Sequence, residues 1–288
     1  MLKCVVFAVT SYYYKYLLER RGKIEDELTA GGIELKIMEA EENPEAGLQA
    51  AAQLYKKEEL LFIADSREVF LYLYEEGYYV IALYHEQNRQ VSFKEALYAV
   101  EDAQQLNLKS YDEVYRRLAG LPWNILETGR LKVRESTVAD VQDFYRIYEE
   151  PSVTYYMEDL FQDPDEERAY MESYIRQVYG FYGFGMWTVV LKETGQIIGR
   201  AGLSVREGYE LPELGFVIAV PFQGRGYAFE VCSAVLDYAK EELLFDRVQA
   251  LVQEQNAPSR KLLAKLGFTY EKNVMEDNRE YRLMIKRL

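Results

Sequence analysis

Residues 213–230, ELGFVIAVPFQGRGYAFE, leave the chain few conformations to choose from. The apolar run 214–220 has the composition of a buried strand, and Pro221 ends it because proline cannot donate to a sheet ladder. Gln223-Gly224-Arg225-Gly226-Tyr227-Ala228 follows at once, and then Ala228, Val231, Cys232, Val235, Leu236 and Ala239 recur at the spacing of an amphipathic helix. The stretch predicts a strand, a glycine turn and a helix. A helix N-terminus presents unpaired N–H groups and a partial positive charge, which suits phosphate. Two glycines let the backbone approach an anion, and Arg225 adds a cation. On these residues alone a tight turn with no ligand is the alternative. The spacing is not that of a dinucleotide fingerprint, and no Gly-Lys-Ser/Thr follows.

Composition narrows the function classes. At 288 residues the chain can hold two ordinary domains. No apolar run approaches the ~18 residues of a membrane span. No charged-then-apolar leader opens the chain, so residues 5–9 read as a buried first strand and the expected location is the cytoplasm. Cys4 and Cys232 lie far apart and read as free thiols in a reducing compartment. A net charge of −14 speaks against a nucleic-acid surface and is compatible with a cationic substrate, although acidity also serves solubility. With His85 as the single histidine, neither a metal site nor a Ser-His-Asp triad is expected. His85 lies between polar neighbours and is read as exposed and non-catalytic.

The first half alternates strands and helices. Strands are expected at 2–9, 33–38, 60–64 and 79–83, and helices at 12–28, 44–55, 67–74 and around Tyr111–Leu118. Near-continuous apolar strands between helices imply a small parallel-sheet, Rossmann-like domain over residues 1–125. Asp65 and Ser66 follow the third strand, where ligands gather in open sheets. The stretch from Ala64-Asp65-Ser66 through Gly77 to Ile81 resembles the last part of a haloacid-dehalogenase-like domain. That family's nucleophile position on the first strand falls in Phe7-Ala8-Val9-Thr10, and Ala8 cannot form a phosphoaspartate. The resemblance is to a degenerate, non-catalytic domain, with Asp65 as an N-cap. The Gly120-Leu121-Pro122 stop marks the boundary, read as a turn through Asn124.

In residues 126–288 the expected order is β-α-α-β-β-β-α-β-α-β-β, an α/β domain with a mixed sheet. Within it, Gln223, Gly226 and Ala228 fill the fixed positions of the acyl-CoA loop of the GCN5-related N-acetyltransferases (GNAT). Asn256-Ala257-Pro258-Ser259 and Leu266-Gly267-Phe268 resemble that family's second landmark. Residues 129–288 thus resemble a GNAT domain. Leu126 to Leu131 and Ile198 to Leu203 look like the RimJ/RimL branch.

The resemblance implies acetyl transfer from acetyl-CoA to an amine of a small molecule or a protein N-terminus; composition adds the expectation of no metal, no nucleic acid and no membrane, and the oligomeric state is left open. The pantetheine arm would pair with the backbone of Phe216, Val217 and Ile218, and the pyrophosphate would sit on Gln223, Gly224, Arg225, Gly226, Tyr227 and Ala228. Asn256 would contact the arm, or cap the helix after it. Glu213 would relay the amine's proton through water, or be a solvent-exposed strand carboxylate. The family's proton-donating tyrosine position is Leu263 here, which makes Ser259, one turn earlier, the candidate substitute. The acceptor would lie against residues 138–178, where Glu149, Glu150, Glu158 and Asp159 could attract a cation. The alternative is an acetyl-CoA-binding sensor with little transferase activity.

Overall fold

The computed structural model describes residues 1–40, 54–157, 159–276 and 278–288. The chain divides into two compact units, Met1–Leu121 and Pro122–Leu288.

The first unit is a five-stranded sheet of order β2-β1-β3-β4-β5, parallel throughout. The strands are β1 Cys4–Val9, β2 Glu34–Glu39, β3 Leu60–Ala64, β4 Tyr79–Leu83 and the short β5 Ala99–Val100. Among the described residues the unit also holds helices α1 Ser11–Ala30, α2 Arg67–Glu75 and α3 Leu108–Leu118. Successive strand residues point to opposite faces, so β1 feeds two cores at once. Val5, Phe7 and Val9 pack with Leu17, Leu28 and Tyr111 of α1 and α3. Cys4, Val6 and Ala8 pack with Val69, Phe70 and Leu73 of α2. This is why its strands read as continuous apolar runs. The helix expected over 44–55 lies, apart from its last two residues, outside the described residues.

Two sequence readings in this unit are corrected. Asp65 does not cap α2, whose N-cap is Ser66 with no side-chain cap bond. Its buried carboxylate instead accepts from the Thr10 N–H (2.8 Å) and hydroxyl (2.6 Å). His85 is not exposed: its side chain keeps 9% of its surface, and Nε2 lies 3.0 Å from Asp65. Nδ1 accepts the Gln87 N–H, and Tyr13 stacks on the ring. A hydrogen-bonded loop thus buries a residue that local polarity places outside.

The second unit is an eight-stranded mixed sheet of order β12-β13-β11-β10-β9-β8-β7-β6. Its strands are β6 Asn124–Glu127, β7 Leu131–Arg134, β8 Met186–Leu191, β9 Ile197–Ser204, β10 Glu213–Ile218, β11 Arg247–Val252, β12 Thr269–Glu276 and β13 Arg279–Arg287. Strand β6 replaces the turn expected through Asn124, and the β12–β13 hairpin is longer than expected. Neighbouring strands run antiparallel except β10 and β11. One face packs against α6 Tyr227–Glu241 and α7 Ala257–Lys265, through Val231, Cys232, Val235, Leu236 and Leu263. The other is covered by α4 Val141–Tyr148, a helical turn Pro151–Thr154 and α5 Pro164–Tyr174. Buried Asp140 locks the start of α4: Arg134 forks onto both its oxygens (2.6 and 2.8 Å), and the Thr188 hydroxyl and Thr137 N–H complete the shell. Cys4 and Cys232 are both free and buried. Among the described residues no helix is long and apolar enough to cross a membrane.

Candidate active site

Strand β10 pairs with β9 along its whole length, from Glu213↔Ser204 to Ile218↔Gly199. With β11 it pairs at a single rung, Glu213↔Gln249, where the Gln249 N–H bonds the Pro212 carbonyl at 2.9 Å. Beyond that rung the two parallel strands part. Peptide groups alternate sides along a strand, so the β9 contacts decide which ones face the gap. The Ala219 N–H bonds Ile198 on β9, and the Val217 carbonyl lies against Gly199 on the same strand. The Phe216 peptide group and the Ile218 N–H therefore face the opening, as a free strand edge, while Val217, expected to join them, turns its peptide group to β9. Such an edge takes an extended, amide-bearing guest as another strand would.

The gap leads to the glycine loop. Pro221 opens a 3₁₀ turn, Val220–Phe222, and Gly224 (φ +74°) and Gly226 (φ +82°) adopt left-handed backbone that side chains resist. Gln223 has an anchoring role: its Nε2 donates to the Ile218 carbonyl at 2.8 Å and ties the loop to the strand end. Gly226 is the N-cap of α6, and no side chain caps that helix end. The N–H groups of Tyr227 and Ala228 thus have no acceptor within the helix. Arg225 lies beside the Phe222 ring (5.7 Å).

Arg130, to which the sequence reading gave no role, stacks on Tyr227 at 4.2 Å and donates to the Arg225 carbonyl at 3.1 Å. Glu230, in the first turn of α6, receives the Thr128 hydroxyl (2.6 Å) and the Arg130 N–H and Nε. Burial raises the Glu230 pKa, but these donors outweigh it and hold the carboxyl below its ordinary range. They fasten residues 128–130 to the helix start, so the negative charge there is already matched. Thr128-Gly129-Arg130 stands next to the loop only because β6 and β7 bring it there.

Glu213 occupies the fork itself. It is buried, not the exposed carboxylate of the alternative reading, and it pairs with Arg206 on the β9–β10 loop. Burial pushes its pKa up, Arg206 and the Leu251 N–H oppose this, and Glu276 adds to the rise. Tyr209 of the same loop donates to Glu276 at 2.6 Å, tying the loop to the end of β12. Arg206, Tyr209 and Glu276 were not singled out from the sequence, because the loop and the hairpin meet only in the folded sheet.

Asn256 caps α7: its Oδ1 accepts the Ser259 N–H at 3.2 Å, with Pro258 in the first turn. Ser259 is half-buried near the start of that helix. Leu263 is 1% exposed and belongs to the core, so its position offers no face to a ligand. Tyr156 donates to the Gln255 carbonyl at 3.1 Å and brings the turn after Thr154 against the β11–α7 loop. Glu149, Glu150 and Asp159 are exposed, and Glu158 lies outside the described residues. Among the described residues no cluster of His, Cys, Asp and Glu could hold a metal ion.

Comparison with known proteins agrees with this geometry. Residues 130–269 match the family described as acetyltransferase (GNAT) domain. The uncharacterized protein YkkB of Bacillus subtilis is 29% identical over 157 residues, which cover 54% of this chain and 90% of that protein. The [ribosomal protein uS5]-alanine N-acetyltransferase of Escherichia coli is 34% identical over 103 residues, 35% of this chain and 51% of that protein. Among solved structures, RimL, a ribosomal L7/L12 alpha-N-protein acetyltransferase, shares the fold with a TM-score of 0.50 at 13% identity. That likeness covers 58% of this chain and 96% of that chain.

Proposed function

We propose that this protein, whose residues 130–269 match the acetyltransferase (GNAT) domain family, transfers an acetyl group from acetyl-CoA to a primary amine by direct attack in a ternary complex. One observation carries the reading: the open strand edge at Phe216 and Ile218 leads, through the glycine loop, to the uncapped start of α6. An open edge accepts the amides of a pantetheine arm, and a bare helix N-terminus accepts a pyrophosphate. The two lie in the order in which such a ligand would need them.

Acetyl-CoA, when bound, supplies an acyl carbon activated by a thiol leaving group. The chain's residues do the rest. The Phe216 and Ile218 N–H groups hold the arm and can donate to a developing oxyanion, a backbone role to which apolar side chains are no obstacle. Arg225 and the N–H groups of Gly226, Tyr227 and Ala228 hold phosphate, with Gln223 and Gly224 shaping the loop. Asn256 fixes the start of α7, and Ser259 beside it is the candidate proton donor to the departing thiolate. An alkylamine has a pKa of about 10, so a base must take its proton, and Glu213 at the fork is the carboxylate placed to do so. Relatives named for a ribosomal-protein alanine support an acceptor amine on a protein N-terminus, alongside small-molecule amines.

We read the first unit as a degenerate haloacid-dehalogenase-like domain with no catalysis of its own. Ala8 is the penultimate residue of β1, and Asp65 and both His85 ring nitrogens are held in hydrogen bonds. The free thiols support a cytoplasmic location.

The buried Leu263 favours a second reading, an acetyl-CoA-binding regulatory protein with little transferase activity. Thiol release from acetyl-CoA, measured against amines and N-terminal peptides, separates the two. The transferase reading expects acceptor-dependent release; tight acetyl-CoA binding with no release for any acceptor overturns it.

A further inference from the structure

Gln249 stands directly opposite Glu213 at the last rung before β10 and β11 part. Residues paired in register point their side chains to the same face, and neighbouring strands lie ~4.8 Å apart. That face is not the α6 side, since Val248, Ala250 and Val252 fill the α6 core and Gln249 falls between them. It is the face to which Val217 contributes and which α4 and the turn Pro151–Thr154 cover. Gln249 is 2% exposed, yet its Nε2 is buried with no hydrogen-bond partner. An amide N–H left unpaired in a protein interior forfeits its hydration, and such groups are ordinarily met by an ordered water or a ligand.

The neighbouring carboxylate shows what the donor is for. Glu213 has its own donors, the Arg206 guanidinium and the Leu251 N–H, so the amide is not needed to satisfy it. A buried carboxyl facing Glu276 and lacking a cation would hold its own proton and could not receive another. The Arg206 pair counters that. A carboxylate paired with a guanidinium and an unpaired donor then stand side by side on one face of the fork, the two contacts that a relay water needs. Such a water accepts the Gln249 N–H, donates one proton to Glu213 and turns its remaining lone pair toward the incoming amine.

We propose that Gln249 is a positioning residue for acetyl transfer, holding the water through which Glu213 removes the acceptor's proton. The inference rests on the transferase reading. As the amine nitrogen bonds to the acyl carbon and the carbon–sulfur bond breaks, one amine proton passes to the water, and a water proton passes to the Glu213 carboxylate. The thiolate leaves with the sulfur electron pair.

The test is Gln249→Met, which keeps the volume and removes the donor. An amide that fastens the fold would cost stability when lost. An amide kept for a transient water would not, because methionine leaves no buried N–H unpaired. We expect a Tm equal to or above that of the wild type, an unchanged acetyl-CoA Kd, and a kcat/KM at least roughly tenfold lower with every acceptor, a fraction of what a positioned general base contributes. Gln249→Glu, which returns a polar side chain but adds a second carboxylate at the fork, is expected not to restore the rate. Wild-type kcat/KM in Gln249→Met overturns the proposal. So does a fall in Tm, or failure to fold, because either assigns the amide to packing. If the wild-type protein itself releases no thiol with any acceptor, the transferase reading fails instead.

Discussion

The approach of β9 to β10 that shapes the gap can be tested with one matched pair of alanine substitutions. Gly199 lies opposite Ile218, and a Cβ placed on it would stand 2.1 Å from the Val217 carbonyl oxygen and 3.1 Å from the Ile218 Cα. Both are backbone atoms of β10, so no rotamer change can clear them. To bring that oxygen back to a tolerable 3.0 Å the strands must separate locally by about 1 Å, and overpacking of this kind costs ~1–3 kcal/mol. Replacing a strand glycine returns about 0.5–1 kcal/mol of backbone entropy, leaving a net loss of up to about 2.5 kcal/mol. At roughly 2–4 °C per kcal/mol for a domain of this size, the ceiling is a Tm loss of about 10 °C, and Gly199→Ala should fall in the upper half of that range, about 5–10 °C, because the obstacle is main chain. Gly215 is the control. A Cβ there meets only the Met186 Sδ (2.9 Å) and Cε (3.3 Å), the end of a flexible side chain that can turn away. Gly215→Ala should therefore stay within about 2 °C of the wild type. Differential scanning fluorimetry, with calorimetric acetyl-CoA titration of the same samples, reads both effects. Gly199→Ala should also weaken acetyl-CoA, because moving the Val217 carbonyl moves the Phe216 and Ile218 peptide groups on either side of it. Equal Tm losses for the two variants, or a Gly199→Ala protein as stable as the wild type, would refute the reasoning.

Three further outcomes are expected. Arg225→Glu places a negative charge beside the proposed phosphate contacts without touching backbone, whereas any side chain at Gly226 would strain its positive φ; acetyl-CoA affinity measured by titration should fall at least tenfold while the Tm holds. Arg206→Gln removes the cation that opposes burial and Glu276 at Glu213, so the carboxyl should stay protonated to higher pH. The acid limb of the kcat/KM–pH profile should then move upward, and a drop that is uniform across pH would show Arg206 to be only a tether. Asp140→Asn concerns stability: burial raises that carboxyl's pKa, but Arg134, Thr137 and Thr188 together hold it below the ordinary value. A depressed carboxyl stabilises above its unfolded pKa of about 3.9 and loses that contribution as pH falls through the folded value. Thermal unfolding should thus place the variant well below the wild type at pH 7, by about 3–5 kcal/mol for breaking a buried pair, with the gap closing below about pH 4. A gap independent of pH contradicts the assignment.

Local chemistry made several features legible in advance. Strand β3 and strand β11 are uniform apolar or alternating runs between breakers, and their observed limits, Leu60–Ala64 and Arg247–Val252, are the expected ones. The loop before α6 was equally readable, because only glycine tolerates the backbone at 224 and 226 and the helical period starts immediately after it. Features that depend on partners distant in the chain were not legible. His85 sits in a polar stretch and reads as solvent-facing, yet Asp65, twenty residues away, and the Tyr13 ring bury it. Short β6 carries too few residues for a periodic signal and exists because β7 is there to pair with it.

The sequence by itself determined the strand–loop–helix unit at 213–241 and the alternation of the first unit, since both follow from side-chain periodicity and the φ preferences of proline and glycine, which act within a few residues. Only the tertiary structure decided the chemistry at the fork. Whether Glu213 is a surface carboxylate or a buried one, which cation meets it, and which donor is left unpaired beside it depend on strands β9, β10, β11 and β12 converging from across some seventy residues. Burial and charge are sums over every neighbour in space, and no local stretch of chain contains those neighbours.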